Sequence, residues 1–198
     1  MTQMPFDDLD RLDDDALLVL YANGDPAAAR LLTARLAPVV HAHAYRLLGD
    51  AAEAEDITQE ALMRLWQIAP DWRQGEAKVT TWLYRVTANL VTDRHRRRRG
   101  GTVDIDAIPE PEDGQPGVVE QMQVRARAEA LQDALETLPD RQRQAVVLRH
   151  LEGLANPDIA HVMGIGVEAV ESLTARGKRG LAKALSGLKE TLGYRDDD

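Results

Sequence analysis

Residues 156–173 read NPDIAHVMGIGVEAVESL, and the spacing of this stretch predicts two short helices joined by a turn. Asn156 and Pro157 are typical of a helix start, an N-cap followed by proline at the first helical position. Gly164 is typical of the turn, because glycine adopts positive φ angles at no steric cost. The stretch therefore predicts a helix-turn-helix, although a plain helical hairpin inside a bundle has the same spacing.

The second helix of this motif should leave a polar face outside the small core. Its apolar residues Val170 and Leu173 close the core against the first helix, so the opposite side is free. In a helix-turn-helix such a face contacts a ligand, and in a plain hairpin it is only solvated. The candidate residues on this face are Glu171, Ser172, Ala175, Arg176, Lys178 and Arg179.

The rest of the chain also has helical caps and helical apolar periodicity, and no segment is typical of a β-hairpin. Aromatic residues make up only 4% of the 198 residues, which favours helix over strand. The fold class expected is all-α, with two small helical domains. Helices are expected over residues 13–22, 26–48, 51–69, 79–99, 119–137, 140–151 and 157–163, with Asp25 and Asn156 as N-caps.

The charge distribution divides the chain into three parts. The formal net charge is -9, yet the segment from Lys78 to Arg99 is strongly basic and contains Asp93 as its single acid. Residues 100–118 are rich in glycine, proline and acids without an apolar period, which predicts a flexible acidic linker. The expected domains are therefore residues 1–99 and 119–198.

Several classes of function are disfavoured by what the sequence lacks. Cysteine is absent, which excludes disulfides and thiolate chemistry. The five histidines form no metal-ligand or triad pattern, so we expect no enzyme, no metal site and no cofactor. An acidic N-terminus and the absence of a long apolar run disfavour a signal peptide and a membrane span, which predicts a cytoplasmic protein.

Residues 54–66, AEDITQEALMRLW, predict an amphipathic helix with a polar stripe. Asp56, Gln59, Glu60 and Met63 recur on one side at helical spacing, opposite an apolar side. Such a stripe is usually only solvated. The functional alternative is a docking face for a partner helix.

Residues 72–99 place aromatic side chains among cations. Trp72, Trp82 and Tyr84 alternate with Arg73, Arg85 and the terminal arginine run. Aromatic rings beside cations can stack bases and attract phosphates, which suits single-stranded DNA. The alternative assigns Trp82 to the core and the arginine run to a solvated helix end.

These motifs together resemble a known family. DITQEALMRLW resembles the part of sigma region 2 that docks on RNA polymerase, and TWLYRVTANLVTDRHRRRR resembles the part that reads and opens the -10 element. LPDRQRQAVVLRHLEGL, with the helix-turn-helix after it, resembles region 4. The order of the motifs and the short linker resemble the extracytoplasmic-function (ECF) group of the sigma-70 family.

The resemblance implies a role for each group of candidate residues. It places Glu171 where many relatives have Lys or Arg, and Thr174 where an apolar residue is common. These two departures affect which bases the chain would prefer at the -35 element. The implied positions for docking on core polymerase are Asp56, Gln59, Glu60, Met63 and Leu65. Those for the -10 element are Trp72, Arg73, Gln74, Gly75, Tyr84, Arg85, Asn89, Arg96 and Arg97, and those for the -35 element are Glu171, Ser172, Ala175, Arg176, Lys178 and Arg179.

The resemblance also implies the partners. These are RNA polymerase core, through its beta-prime clamp and beta flap, promoter DNA, and an anti-sigma factor, with no membrane insertion and a monomer when free. The main alternative is a stand-alone helix-turn-helix regulator that binds a palindrome as a dimer. That alternative would leave residues 54–66 and 72–99 without a function.

Overall fold

The computed structural model describes residues 9–75, 77–100 and 118–186, and within these ranges every regular element is helical. The expected linker lies outside the described residues except at its ends, Gly100 and Val118. The N-terminal helices are α1 (Asp14–Ala22), α2 (Pro26–Leu48), α3 (Ala51–Ile68) and α4 (Val79–Gly100), with a 3-10 turn at Ala69–Asp71. The C-terminal helices are α5 (Val118–Glu136), α6 (Asp140–Val146), α7 (Asn156–Met163) and α8 (Val167–Leu185), with a π-type turn at Val147–Leu151.

Local capping chemistry sets several helix ends, as predicted. The Asp25 carboxylate accepts hydrogen bonds from the amides of Ala27, at 2.8 Å, and Ala28, at 3.4 Å. Asp50 accepts from the amide of Glu53 at 3.0 Å. Gly49 and Gly164 end α2 and α7 in the left-handed region, with φ of 74° and 62°. These caps satisfy backbone groups that have no partner inside their own helix.

The N-cap of α7 is an exception, and the sequence prediction was wrong there. Ala155 holds the cap position with extended backbone and no capping side chain, so Asn156 is the first helical residue. Proline tolerates either early position, because the first amides of a helix have no acceptor within it. The Asn156 amide nitrogen lies 3.5 Å from Glu171 Oε1 on α8 instead.

The two groups of helices share one apolar core. Leu36, Leu65 and Leu83 are buried among the N-terminal helices, and Leu135 and Val147 from the C-terminal helices join the same cluster. Backbone carbonyls at the end of α2 accept hydrogen bonds across this contact. Arg143 Nη1 donates to Leu47 O at 2.6 Å, and Gln132 Nε2 donates to Tyr45 O at 3.3 Å.

Within the described ranges, no helix is long and apolar enough to cross a membrane.

Gly177 permits the close crossing of α6 and α8. A Cβ at this position would press against a Val146 methyl and lie 3.0 Å from the Gln142 carbonyl oxygen. Overpacking costs about 1–3 kcal/mol, and the gain in helix propensity from Gly to Ala returns only about 1 kcal/mol. We expect Gly177→Ala to lower the free energy of unfolding in chemical denaturation.

Gly180→Ala is the matched control on the same helix. Its added Cβ would meet only the end of the flexible Leu138 side chain. We expect this control to be neutral or slightly stabilising. Equal stability of the two variants would contradict the role given to Gly177.

Candidate nucleic-acid interface

The outer face of α8 is accessible, as predicted for a recognition helix. Val170 and Gly177 are buried on its inner side, which fixes the direction of the outer face. Arg176 folds back on Ser172, with Nη2 3.1 Å from Ser172 Oγ. The six predicted residues, Glu171, Ser172, Ala175, Arg176, Lys178 and Arg179, are all exposed.

Thr174 lies on the side of α8 that faces the protein. Its hydroxyl is buried and has no hydrogen-bond partner among the described residues. A buried hydroxyl without a partner costs free energy, so an apolar side chain would suit this position at least as well. The departure at Thr174 is therefore a difference in packing, and it leaves the outer face of α8 unchanged.

Helix α4 carries the predicted -10 residues on more than one side. Arg85, Asn89, Arg96 and Arg97 are exposed. Tyr84 is only 6% exposed and packs with apolar residues of the C-terminal helices. The Tyr84 side chain is therefore closed to DNA in this arrangement, and the sequence did not reveal this because its neighbours are distant along the chain.

The loop before α4 is anchored by Trp72. The Trp72 indole Nε1 donates to Asp15 Oδ1 at 2.9 Å, and its ring meets the edge of Trp82 with centroids 6.1 Å apart. Trp72 thus holds the loop on α1 and α4, and its assignment to the -10 element stays a prediction. The rest of the described loop, Arg73, Gln74 and Gly75, is exposed, and Gly75 has a φ of 87°.

The basic end of α4 is partly engaged by acids of α3. Arg94 Nε donates to Glu53 Oε1 at 3.0 Å, and Arg98 Nη2 lies 2.8 Å from the same oxygen. Arg94 also reaches Asp56 Oδ2 at 3.3 Å. Part of the arginine run therefore ties α4 to α3. Arg96 remains 77% exposed despite a 3.3 Å pair with Asp93.

Four of the five predicted docking positions on α3, those of the polar stripe, are exposed. Asp56, Gln59 and Glu60 face solvent, and Met63 is 57% exposed. Leu65 is fully buried in the apolar core, because it lies on the opposite side of the helix. Leu65 therefore supports the stripe from beneath and offers no side-chain surface to a partner. We call Asp56, Gln59, Glu60 and Met63 the docking stripe.

One polar cluster escaped the sequence analysis. Glu152, just after the π-type turn, has a carboxylate that is 6% exposed. Glu152 Oε1 lies 2.7 Å from Arg46 Nη1 and 3.4 Å from His43 Nδ1, and Oε2 accepts from the Tyr84 hydroxyl at 2.8 Å. The nearest partner along the chain, Tyr84, is 68 residues away, so no local pattern indicates the cluster. We call these four residues the Glu152 cluster.

The charge states of the Glu152 cluster follow from its burial. Burial lowers the pKa of His43 despite the opposing effect of Glu152, so the imidazole is neutral at pH 7. Burial alone would raise the pKa of Glu152, but His43, Tyr84 and the Arg46 charge outweigh it and lower the pKa overall. Burial and the Glu152 carboxylate raise the pKa of Tyr84, so its hydroxyl stays protonated and donates.

The described residues contain no group of three or more His, Cys, Asp or Glu side chains arranged to hold a metal ion.

The known structures support the fold. The structure of CnrH in complex with the cytosolic domain of CnrY is 24% identical and covers 88% of this chain and 97% of that one, with a TM-score of 0.64. The sigma factor RpoE in complex with the anti-sigma factor NepR from Bartonella quintana is 22% identical and covers 79% and 96%, with a TM-score of 0.63.

Sequence comparison identifies the family. The Sigma-70 region 2 family matches residues 32–100, and the Sigma-70, region 4 family matches residues 128–181. The ECF RNA polymerase sigma factor SigE of Mycolicibacterium smegmatis is 37% identical over 175 residues, which are 85% of this chain and 66% of that protein. SigW of Bacillus subtilis, also an ECF RNA polymerase sigma factor, is 31% identical over 73% of this chain and 81% of its own length. The RNA polymerase sigma-H factor of Pseudomonas aeruginosa is 30% identical over 88% and 95%. The chain therefore belongs to the ECF sigma factors of the sigma-70 family, which direct transcription initiation by RNA polymerase.

Proposed function

We propose that this sigma factor divides promoter recognition among three of its surfaces. The docking stripe of α3 binds the beta-prime clamp of the polymerase core. Asn89, Arg85 and the loop before α4 read the -10 element. The outer face of α8 reads the -35 element, and the C-terminal helices meet the beta flap.

The observation that carries this proposal is the exposure of all six predicted residues on α8. A helix-turn-helix can enter a major groove only if its second helix turns such a face outward. Arg176, Lys178 and Arg179 supply charge for phosphates and base edges. Because a carboxylate accepts from the exocyclic amine of cytosine, Glu171 would favour a cytosine within its reach.

The -10 assignment draws support from the exposure of Asn89 among buried neighbours. The adjacent positions Ala88 and Leu90 are buried, so the Asn89 side chain projects from the helix on its accessible side. An amide offers both donors and acceptors to a base edge. With the exposed Arg73 and Gln74 in the preceding loop, it can receive a base flipped from the non-template strand.

The remaining partners follow from the family and its known structures. The similar RpoE structure holds the anti-sigma factor NepR, which supports an anti-sigma partner for this chain. We place the protein in the cytoplasm with RNA polymerase, and we assign it a binding function without a chemical step. A stand-alone regulator is not favoured, because the region 2 match covers the helices that such a protein would not need.

Run-off transcription on genomic fragments tests this function. Purified core polymerase with this chain should start transcription at discrete sites, and core alone should not. Mapping the start sites would then give the -10 and -35 sequences. Specific binding to duplex DNA without core polymerase, and no transcription with it, would favour the stand-alone regulator.

A further inference from the structure

A cleft of about 420 Å³ lies between α4 and the helices α6 and α7. Its walls include the buried apolar side chains of Val91 in α4, Val162 in α7 and Leu47 at the end of α2. Asn89 and Gln144 add polar groups to the lining. Small-molecule sites in proteins are typically clefts of roughly 300–1,000 Å³ with an apolar lining and a few polar groups. The cleft therefore has the size and the lining of a site for a small molecule.

Arg143 of α6 lines the same cleft and is only 8% exposed. Its Nη1 donates to the Leu47 carbonyl at 2.6 Å, as described above. Its Nη2 donates to the carbonyls of Glu136 and Leu138, at 2.9 Å and 3.3 Å. Its Nε is buried and has no hydrogen-bond partner among the described residues. One donor of this buried guanidinium is therefore open to an acceptor in the cleft.

The positive charge of Arg143 has no counter-ion within the described part of the chain. Its partners there are neutral backbone carbonyls, and no carboxylate forms an ion pair with it. A buried charge is costly unless an opposite charge is close to it. The lining of the cleft is positive as a whole, because Arg96 and Arg141 lie there with Arg143 against a single acid, Asp140. An anion in the cleft would supply both an acceptor for Nε and a counter-charge.

We propose that this cleft binds a small organic anion, with a carboxylate or phosphate head on Arg143 Nε and a compact apolar body against Val91 and Val162. The head binds at Nε because Nη1 and Nη2 already donate to carbonyls. A hydrogen bond between a guanidinium and a charged acceptor is shorter and stronger than one between neutral groups. Arg141, an exposed residue of the lining, adds a second positive charge.

An anion in the cleft would also regulate the proposed contact with the -10 element. Asn89 lines the cleft, and it is the residue to which we assign the flipped base. The anion and the DNA strand would therefore compete for the Asn89 amide, and the anion would lower the affinity for the strand. This consequence rests on the proposed function, whereas the anion site itself rests on Arg143 and the cleft.

An NMR titration of the ¹⁵N-labelled full chain tests the site at Arg143 Nε itself. We expect benzoate and phenyl phosphate to shift the Arg143 Nε–H resonance until the site is saturated. Benzamide has nearly the shape of benzoate without its charge, so it should bind about tenfold more weakly. Inorganic phosphate has no apolar body, so at equal ionic strength it should bind more weakly than phenyl phosphate.

Arginine variants give the matched comparison. Arg141→Gln removes an exposed cation of the lining and should weaken benzoate binding about two- to fivefold. Arg125→Gln makes the same change in net charge at an exposed position of α5 outside the cleft, and it should leave benzoate binding unchanged. Arg143→Gln should abolish binding. If Arg143→Gln fails to fold, Arg141→Gln still tests the site, because its side chain is exposed.

The site is overturned if the Arg143 Nε–H resonance responds to neither benzoate nor phenyl phosphate, or if benzoate and benzamide bind equally. Equal affinities for phenyl phosphate and inorganic phosphate would contradict the role given to the apolar wall. Failure of the -10 assignment would give a different result. Phenyl phosphate would then shift the Arg143 resonance without lowering the affinity for a single-stranded -10 oligonucleotide, and the anion site would stand while Asn89 lost its proposed role.

Discussion

Reversing both acids of the docking stripe, in the double variant Asp56→Arg, Glu60→Arg, should abolish binding to core polymerase. Both side chains are exposed, so they are available to a partner. Placing like charges opposite each other at an interface costs several kcal/mol, which corresponds to a loss of about a hundredfold or more in affinity. Fluorescence anisotropy with labelled sigma factor and purified core would measure this loss.

The stability of the double variant should change little. The stripe's own ion pairs, Asp56 with Arg94 and Glu60 with Arg64, involve exposed acids and contribute about 1 kcal/mol or less each. Glu129→Arg, Asp133→Arg is the matched control, because it reverses two exposed acids four residues apart on α5. Core affinity retained in the Asp56, Glu60 variant, or lost equally in the control, would remove the docking stripe from the mechanism.

Asn89→Ala should impair opening of a duplex promoter far more than binding of a promoter whose -10 region is already mismatched. Extracting a base from the stack costs a few kcal/mol, and capture of the flipped base offsets that cost. Losing the capture should slow open-complex formation on duplex DNA by about ten- to a hundredfold. Permanganate footprinting on the two templates would measure the difference.

Charge removal on the same helix provides the contrast to Asn89→Ala. Arg96→Ala, Arg97→Ala removes exposed cations and should weaken both templates, with a smaller dependence of affinity on salt. An equal effect of Asn89→Ala on duplex and mismatched templates would mean that Asn89 is structural or reads duplex DNA.

The parts of the fold that depend on local chemistry could be predicted from the sequence. The caps at Asp25 and Asp50, and the left-handed stops at Gly49 and Gly164, each depend on a few neighbouring residues. The boundary of α7 was displaced by one residue because Asn156 and Pro157 both fit the first turn. The accessible face of α8 followed from periodicity alone.

The parts that depend on distant contacts could not be predicted. Trp72 and Tyr84 have the sequence context of base-stacking residues, yet Asp15 and Glu152 engage them across 57 and 68 residues of chain. Likewise, Arg94 and Arg98 belong to a run that indicates phosphate binding, and only the packing of α3 on α4 reveals their pairing with Glu53. Burial of aromatic rings and pairing of charges were decided by tertiary structure.

The arginine pairs between α3 and α4 also determine what can be exchanged between relatives. Glu53 pairs with both Arg94 and Arg98, and Asp50 lies 3.8 Å from Arg98, so α3 and α4 are joined through shared ion pairs. A chimaera that takes α4 alone from another sigma factor would break these pairs and alter the angle between the two helices. Transferring residues 51–100 as one block would preserve the angle between the two helices. Under the proposed assignment of α4 to the -10 element, a change of promoter preference in α4 is constrained by its acidic partners Asp50, Glu53 and Asp56, and the two helices should be inherited together.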